Sequence, residues 1–272
     1  MTTFQLLLFS TDPEAVSRHT EAGVDGFIVD WESKGKDVRQ AGADTEINHD
    51  TPEDLERVRG ATNARILCRL NQPGPWTPGE IEEAVAGGAD ELLIPMVRSP
   101  REVLEAIRLA AGRCRVGILV ETLEAVRCAA ELARLPISRA YVGLNDLSIE
   151  RKSRSIFEPL TDGLVDGIRP FFAVPFGLAG LTIPDYGRPI PCRLLIGEMA
   201  RLSCSFSFLR RSWRRDTAGR DPRVEVPRLR AAIEKAGRRN AAEIARDRAE
   251  LIAALAVVVA DGGGDPGSGE IP

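Results

Sequence analysis

Eight short runs rich in leucine, valine, isoleucine and phenylalanine punctuate the chain: FQLLLFS (4–10), GFIVDW (26–31), ARILCRL (64–70), ELLIPMV (91–97), RVGILVE (115–121), RAYVGL (139–144), the stretch around VPFGLAGLT (174–182) and SFSFLR (205–210). Between them lie longer amphipathic stretches, the alternation of repeated βα units rather than of a sandwich or a bundle. Eight parallel strands close a barrel. The expected fold is therefore a (β/α)8 TIM barrel over residues 1–222. Helix starts support this register: Asp12, Thr51, Thr77 and Ser99 each stand before a proline with an acid nearby, and Gly23, Gly87, Gly88 and Gly112 fall where helices should end.

Three stretches break the rhythm. Residues 32–50 form a long polar connection after the second strand, on the side where barrel enzymes keep their chemistry, and residues 145–160 form another after the sixth. The two are expected to meet over the mouth. Residues 223–260 read as helix, divided near Gly237, and exceed what covers one barrel strand; such an extension is expected to pack on a partner subunit in a homo-oligomer. Residues 261–272 are glycine-rich without apolar anchors and read as a disordered tail.

Composition narrows the partners. The 272 residues carry a net charge of -4 and no basic stripe interleaved with aromatics, which argues against nucleic acid. The late arginines of RRSWRRD and GRRN read as a solvated face. The start lacks a signal-peptide pattern and no apolar run approaches a bilayer's thickness, so neither a membrane nor export is expected and the location reads as cytoplasmic. Five cysteines, widely spaced and without a CxxC pair, read as reduced thiols.

The candidate chemistry sits at strand ends. Glu121 closes GILVE and Asp146 follows YVGLN, and two carboxylates at the ends of neighbouring strands can reach one hard divalent cation such as Mg2+. Read blandly, Glu121 ends a strand and Asp146 makes an Asx turn or N-cap. Arg69, at the end of ARILCR, offers a planar guanidinium to a 2-oxo acid or its enolate; its bland role is an ion pair with Asp30 or Glu32. Backbone N–H groups around Gly143, Asn145 and Asp146 can hold a substrate carboxylate.

The segments CRLNQPG, GADELLIPMVRSPREV, GILVETLEAV and YVGLNDLS, in this order and spacing, resemble the metal-dependent 4-hydroxy-2-oxoheptanedioate aldolase and citrate lyase beta-subunit family over roughly residues 20–182. The resemblance implies a magnesium or manganese site made by Glu121 and Asp146, Arg69 as the enolate-stabilising cation, carbon–carbon bond cleavage or formation, and C-terminal helices exchanged between subunits. The chain departs from the pattern after the second strand, where Asp30-Trp31-Glu32-Ser33 lacks the histidine or second acid that follows in relatives. Glu32 matches the retained acid, and His49 is the histidine on the mouth side; either is a candidate for proton transfer, while His49 also reads as an ordinary loop residue and His19 as an exposed helix residue. No lysine lies inside a strand run, which favours a metal over an imine route; Lys34 and Lys36 read as solvated loop lysines. The expected activity is a metal-dependent aldolase or lyase acting on a small oxo acid. The alternatives are an acyl-CoA ester lyase or thioesterase of the citrate lyase type, acting on an acyl-thioester, and a barrel that only binds a carboxylate ligand or partner.

Overall fold

A computed structural model describes residues 3–36 and 48–260. Eight parallel strands close into a barrel in chain order: β1 (Gln5–Phe9), β2 (Gly26–Asp30), β3 (Arg65–Arg69), β4 (Glu91–Ile94), β5 (Arg115–Val120), β6 (Ala140–Val142), β7 (Phe176–Leu178) and β8 (Phe206–Leu209). Each coincides with one of the eight apolar runs. The expected lid over residues 32–50 and the expected tail over 261–272 fall largely or wholly outside the described residues.

Strand alternation sorts the side chains into two apolar bodies. Leu7, Phe9, Ile28, Leu67, Leu93, Leu119, Tyr141, Phe206 and Phe208 point inward and fill the barrel. Their neighbours, such as Leu6, Leu8, Phe27, Val29, Ile66 and Cys68, point outward beneath the helical shell. Helices 52–61 and 100–110 begin with capping boxes at Thr51 and Ser99, each followed by proline, as their sequences require.

One departure concerns the connection after the sixth strand. The chain after β6 is not an irregular loop: helix Leu144–Arg151 begins two residues beyond the strand, with Gly143 at its N-cap and Asp146 in its first turn rather than capping it. The terminal region forms two helices, Pro222–Gly237 and Ala241–Ala260, divided at Gly237 as the sequence suggests. Both lie against helix Cys192–Arg201 of the same chain, and ion pairs from Arg193 to Glu250 and from Arg248 to Glu198 tie the last helix to it. Leu251 and Leu255 of the last helix are buried, while Ile252 and Val257 on its outer side are exposed.

The cysteines are free thiols, Cys68 and Cys192 buried and the others half-buried. Among the described residues no helix is long and apolar enough to cross a membrane.

Candidate functional site

The inward phase of the strands carries the chemistry. One pleat repeat above the inward Ile28, Leu67, Leu119, Tyr141 and Phe208 come Asp30, Arg69, Glu121, Gly143 and Arg210, all at the C-terminal mouth where barrel enzymes place their active sites. Parallel pairing sets Asp30 directly beside Arg69. Arg69 donates from Nε to Asp30 Oδ1 at 2.7 Å and from Nη2 to Oδ2 at 2.6 Å, a bidentate fork, and its Nη1 lies 3.1 Å from Glu32 Oε2. Lys36 reaches back from the loop to within 3.4 Å of Asp30 and 3.5 Å of Glu32. All four side chains are buried.

These neighbours set the protonation states. Burial would raise the Asp30 carboxyl, but the charge and hydrogen bonds of Arg69, joined by Lys36 and Arg210, more than offset it and hold it well below the usual range. The Lys36 ammonium is lowered by burial and by Arg69, against the pull of Asp30 and Glu32. Lys36 is thus no solvated loop lysine: it is 1% exposed. Lys34 stays outside, 5.2 Å from the Trp76 ring centre.

The turn that brings Glu32 and Lys36 inward is pinned by Asn71, whose Oδ1 accepts from the Ser33 and Lys34 N–H groups at 2.9 and 2.7 Å and whose Nδ2 donates to Glu80 at 2.7 Å. Where the described chain resumes, the Asn48 amide donates to Asp30 Oδ2 at 2.9 Å and the Asp50 carboxylate accepts from the Asp30 N–H at 2.8 Å. His49, between them, is exposed.

Across the mouth, Glu121 is held in a different way. Its Oε1 accepts the Met96 N–H at 2.8 Å, and Met96 adopts a left-handed backbone, φ 52°, uncommon for a non-glycine residue, that aims this donor inward. Its Oε2 lies against Gly143, where a Cβ would come within 2.1 Å of it. Only glycine fits there. Burial first, then the negative charges of Asp146 and Glu32, push the Glu121 carboxyl up to about 8, with Arg69 opposing. Asp146, also buried, thus lies within electrostatic reach of Glu121 from the adjacent strand end. Among the described residues no group of three or more metal-ligating side chains comes together; the two carboxylates stand as a pair.

Arg210, like Lys36, departs from its expected place. It was expected on a solvated arginine face, yet it continues the inward phase of Phe206 and Phe208 and lies over the Phe9 ring at 4.6 Å, with Arg69 over the same ring at 5.4 Å. Trp213, in the same arginine-rich stretch, is fully buried, and His19, expected to be exposed, is half-buried with its ring edge-on to Trp213. Lys36, Asn48, Asp50 and the Met96 N–H are other members of the mouth, and no local sequence pattern singles them out.

No family model matches this chain, and no curated protein matches it. Among solved structures, the crystal structure of RipC from Yersinia pestis superimposes with a TM-score of 0.55, covering 89% of this chain and 98% of that one at 15% identity. At that identity the likeness is one of fold: both are α/β barrels.

Proposed function

We propose that the protein is a divalent-metal-dependent carbon–carbon lyase or aldolase acting through the enolate of pyruvate or a related small 2-oxo acid, with Mg2+ or Mn2+ held by Glu121 and Asp146. One observation carries the reading: two carboxylates, Glu121 after β5 and Asp146 in the first helical turn after β6, are both buried at the mouth, and burial first and their mutual repulsion second push Glu121 up, with Arg69 opposing. Two buried acids that repel one another are the donor set of a hard cation, which would offset their charge and accept their oxygens. The Met96 and Gly143 backbone fixes one of them in place before any ligand arrives.

When bound, such an ion polarises a 2-oxo group and offsets negative charge developing on its oxygen. The chain's own residues supply the rest. Two Arg69 N–H groups are bonded to Asp30 and fix the orientation of the guanidinium, whose Nη1 lies at ion-pair distance from Glu32, and the remaining N–H groups suit a substrate oxygen. The N–H groups of Leu144 and Asn145, in the first turn after Gly143, have no intrahelical partner and suit a carboxylate. Glu32, buried between Arg69 and Lys36, is the better-placed proton carrier; His49 lies on the exposed side of its segment.

The test has two readouts. Manganese binding, followed by electron paramagnetic resonance, should be tight in the native protein and lost in Glu121→Gln and Asp146→Asn. Turnover of 4-hydroxy-2-oxo acids should vanish with EDTA and return with Mn2+; turnover that survives chelation and is trapped by borohydride assigns the reaction to a lysine instead.

A further inference from the structure

We infer that the Tyr141 hydroxyl is a catalytic hydrogen-bond donor to the 2-oxo oxygen of the substrate, holding the negative charge that gathers there when the carbon–carbon bond breaks. This rests on the 2-oxo-acid reading above and adds to it a residue from the barrel interior.

Tyr141 points into the barrel from β6, with Leu119 of β5 and Gly177 of β7 as its register partners. Gly177 carries no side chain, and Tyr141 extends past it to stack on Phe208 of β8, with ring centres 3.9 Å apart and planes 14° from parallel. The hydroxyl comes up beside Ala179, whose backbone N–H lies within hydrogen-bonding reach of its oxygen. Ala179 stands one pleat repeat above Gly177, in the layer of Glu121, Gly143 and Arg210. The ring therefore belongs to the barrel core, while its polar end belongs to the mouth.

A phenol has one proton to donate and lone pairs to accept with. The Ala179 N–H addresses a lone pair, and among the described residues no acceptor is bonded to the proton. A buried donor without a partner calls for one from outside. Arg210 and Arg69 lie close enough for their charges to favour an anion at this point, and Glu121 opposes them. Burial outweighs all three and raises the phenol well above its ordinary range, so it keeps its proton at any pH near neutrality. Tyr141 is thus no base. It is a fixed neutral donor beside two cations, which is how an oxyanion is received.

The other donors of the mouth decide which oxygen it meets. The substrate carboxylate has the Leu144 and Asn145 N–H groups. Arg69 comes from β3 and Tyr141 from β6, so an oxygen between them is met from two directions. The 2-oxo oxygen is the atom whose charge changes: the electron pair of the breaking bond becomes the enolate double bond, and the carbonyl pair moves onto that oxygen. A donor already in place stabilises this charge without reorganising. The proton stays on Tyr141 throughout.

The experiment uses Tyr141→Phe in the full chain, which keeps the ring for Phe208 and removes only the donor. With Mn2+ present, kcat for a 4-hydroxy-2-oxo acid should fall about a hundred- to a thousandfold, the cost of deleting one oxyanion donor, while KM and manganese binding change by less than about threefold. By calorimetry, oxalate, a planar mimic of the enolate, should bind the variant about ten- to a hundredfold more weakly, and pyruvate should change by less than about threefold. A 3-fluorotyrosine at position 141, nearly the same size and more acidic, is the stronger donor and should tighten oxalate. A raised KM at unchanged kcat, an equal loss of oxalate and pyruvate, no loss of either, or a fluorinated protein that does not bind oxalate more tightly each overturns the proposal. The metal reading fails separately: if oxalate distinguishes native protein from Tyr141→Phe in EDTA but Mn2+ adds nothing to turnover, the Tyr141 assignment stands without the metal. Manganese-dependent turnover at the native rate in Tyr141→Phe sinks the assignment alone.

Discussion

The two ends of the barrel contain the same device and use it differently. At the N-terminal end Arg139 donates to Glu91 from Nε at 2.7 Å and from Nη2 at 2.8 Å, Gln5 and Ser138 complete the set, and the guanidinium lies 4.7 Å from the Phe206 ring centre. At the C-terminal mouth Arg69 grips Asp30 with the same fork, over Phe9. The lower pair is closed: each nitrogen of Arg139 and each carboxylate oxygen of Glu91 has a partner, and a Cβ at Gly117 would meet Arg139. The upper pair is surrounded by Glu32, Lys36, Arg210, Glu121 and Asp146. A buried arginine–carboxylate fork is therefore no sign of a site by itself. Unmatched charge beside it is, which agrees with the usual division between a structural bottom and a chemical top.

The sharpest way to break the comparison is Gly143→Ala. The added methyl would overlap Glu121 Oε2, so manganese binding and turnover should fall by about a hundredfold or more, the scale of misplacing a catalytic group by an ångström, with unfolding showing about 1–3 kcal/mol of overpacking. A variant that binds manganese normally would refute the rigid mouth. At the bottom, Arg139→Met leaves Glu91 buried and unpaired and should cost about 3–5 kcal/mol in urea denaturation, whereas Arg139→Met with Glu91→Leu should recover most of it. The same double exchange at the top, Arg69→Met with Asp30→Leu, can recover stability but should leave no turnover.

A pH titration separates the ends further. In EDTA, the folded protein keeps the Glu121 proton up to about pH 8 while the unfolded chain releases it near 4.5. The folded state thus binds the extra proton between these values, and its stability should fall as pH rises from about 4.5 to 8. Melting temperatures of Glu121→Gln should lack this decline. The smallest effect is expected of Asn71→Ala, which frees the Ser33 and Lys34 N–H groups: about 1–3 kcal/mol of stability, with manganese binding retained because Glu121 and Asp146 are untouched.

Much of this was legible in the sequence because strands advertise themselves by period. The eight apolar runs place the barrel, and the polar residue ending a run marks the mouth, which is how Glu121 and Arg69 were found. Arg210 satisfies the same rule in SFSFLR, but the arginines that follow disguised it as part of a charged surface; the inward phase of Phe206 and Phe208 was the available signal. Lys36 and Asn48 carried none, since their burial follows from how the loop folds back and not from any local pattern. The Met96 contribution is a backbone one, set by a left-handed φ that the side chain does not disclose.

The inner and outer apolar bodies share no side chains, and this separation bears on how such a protein can change. Positions 9, 30, 69, 121, 143 and 210 lie on the lumenal phase, so exchanging them leaves untouched the layer of Leu6, Phe27, Ile66 and Val120 that welds strands to helices. New reactivity can be written on the same scaffold by rewriting a handful of letters, without renegotiating the contacts that let the chain fold.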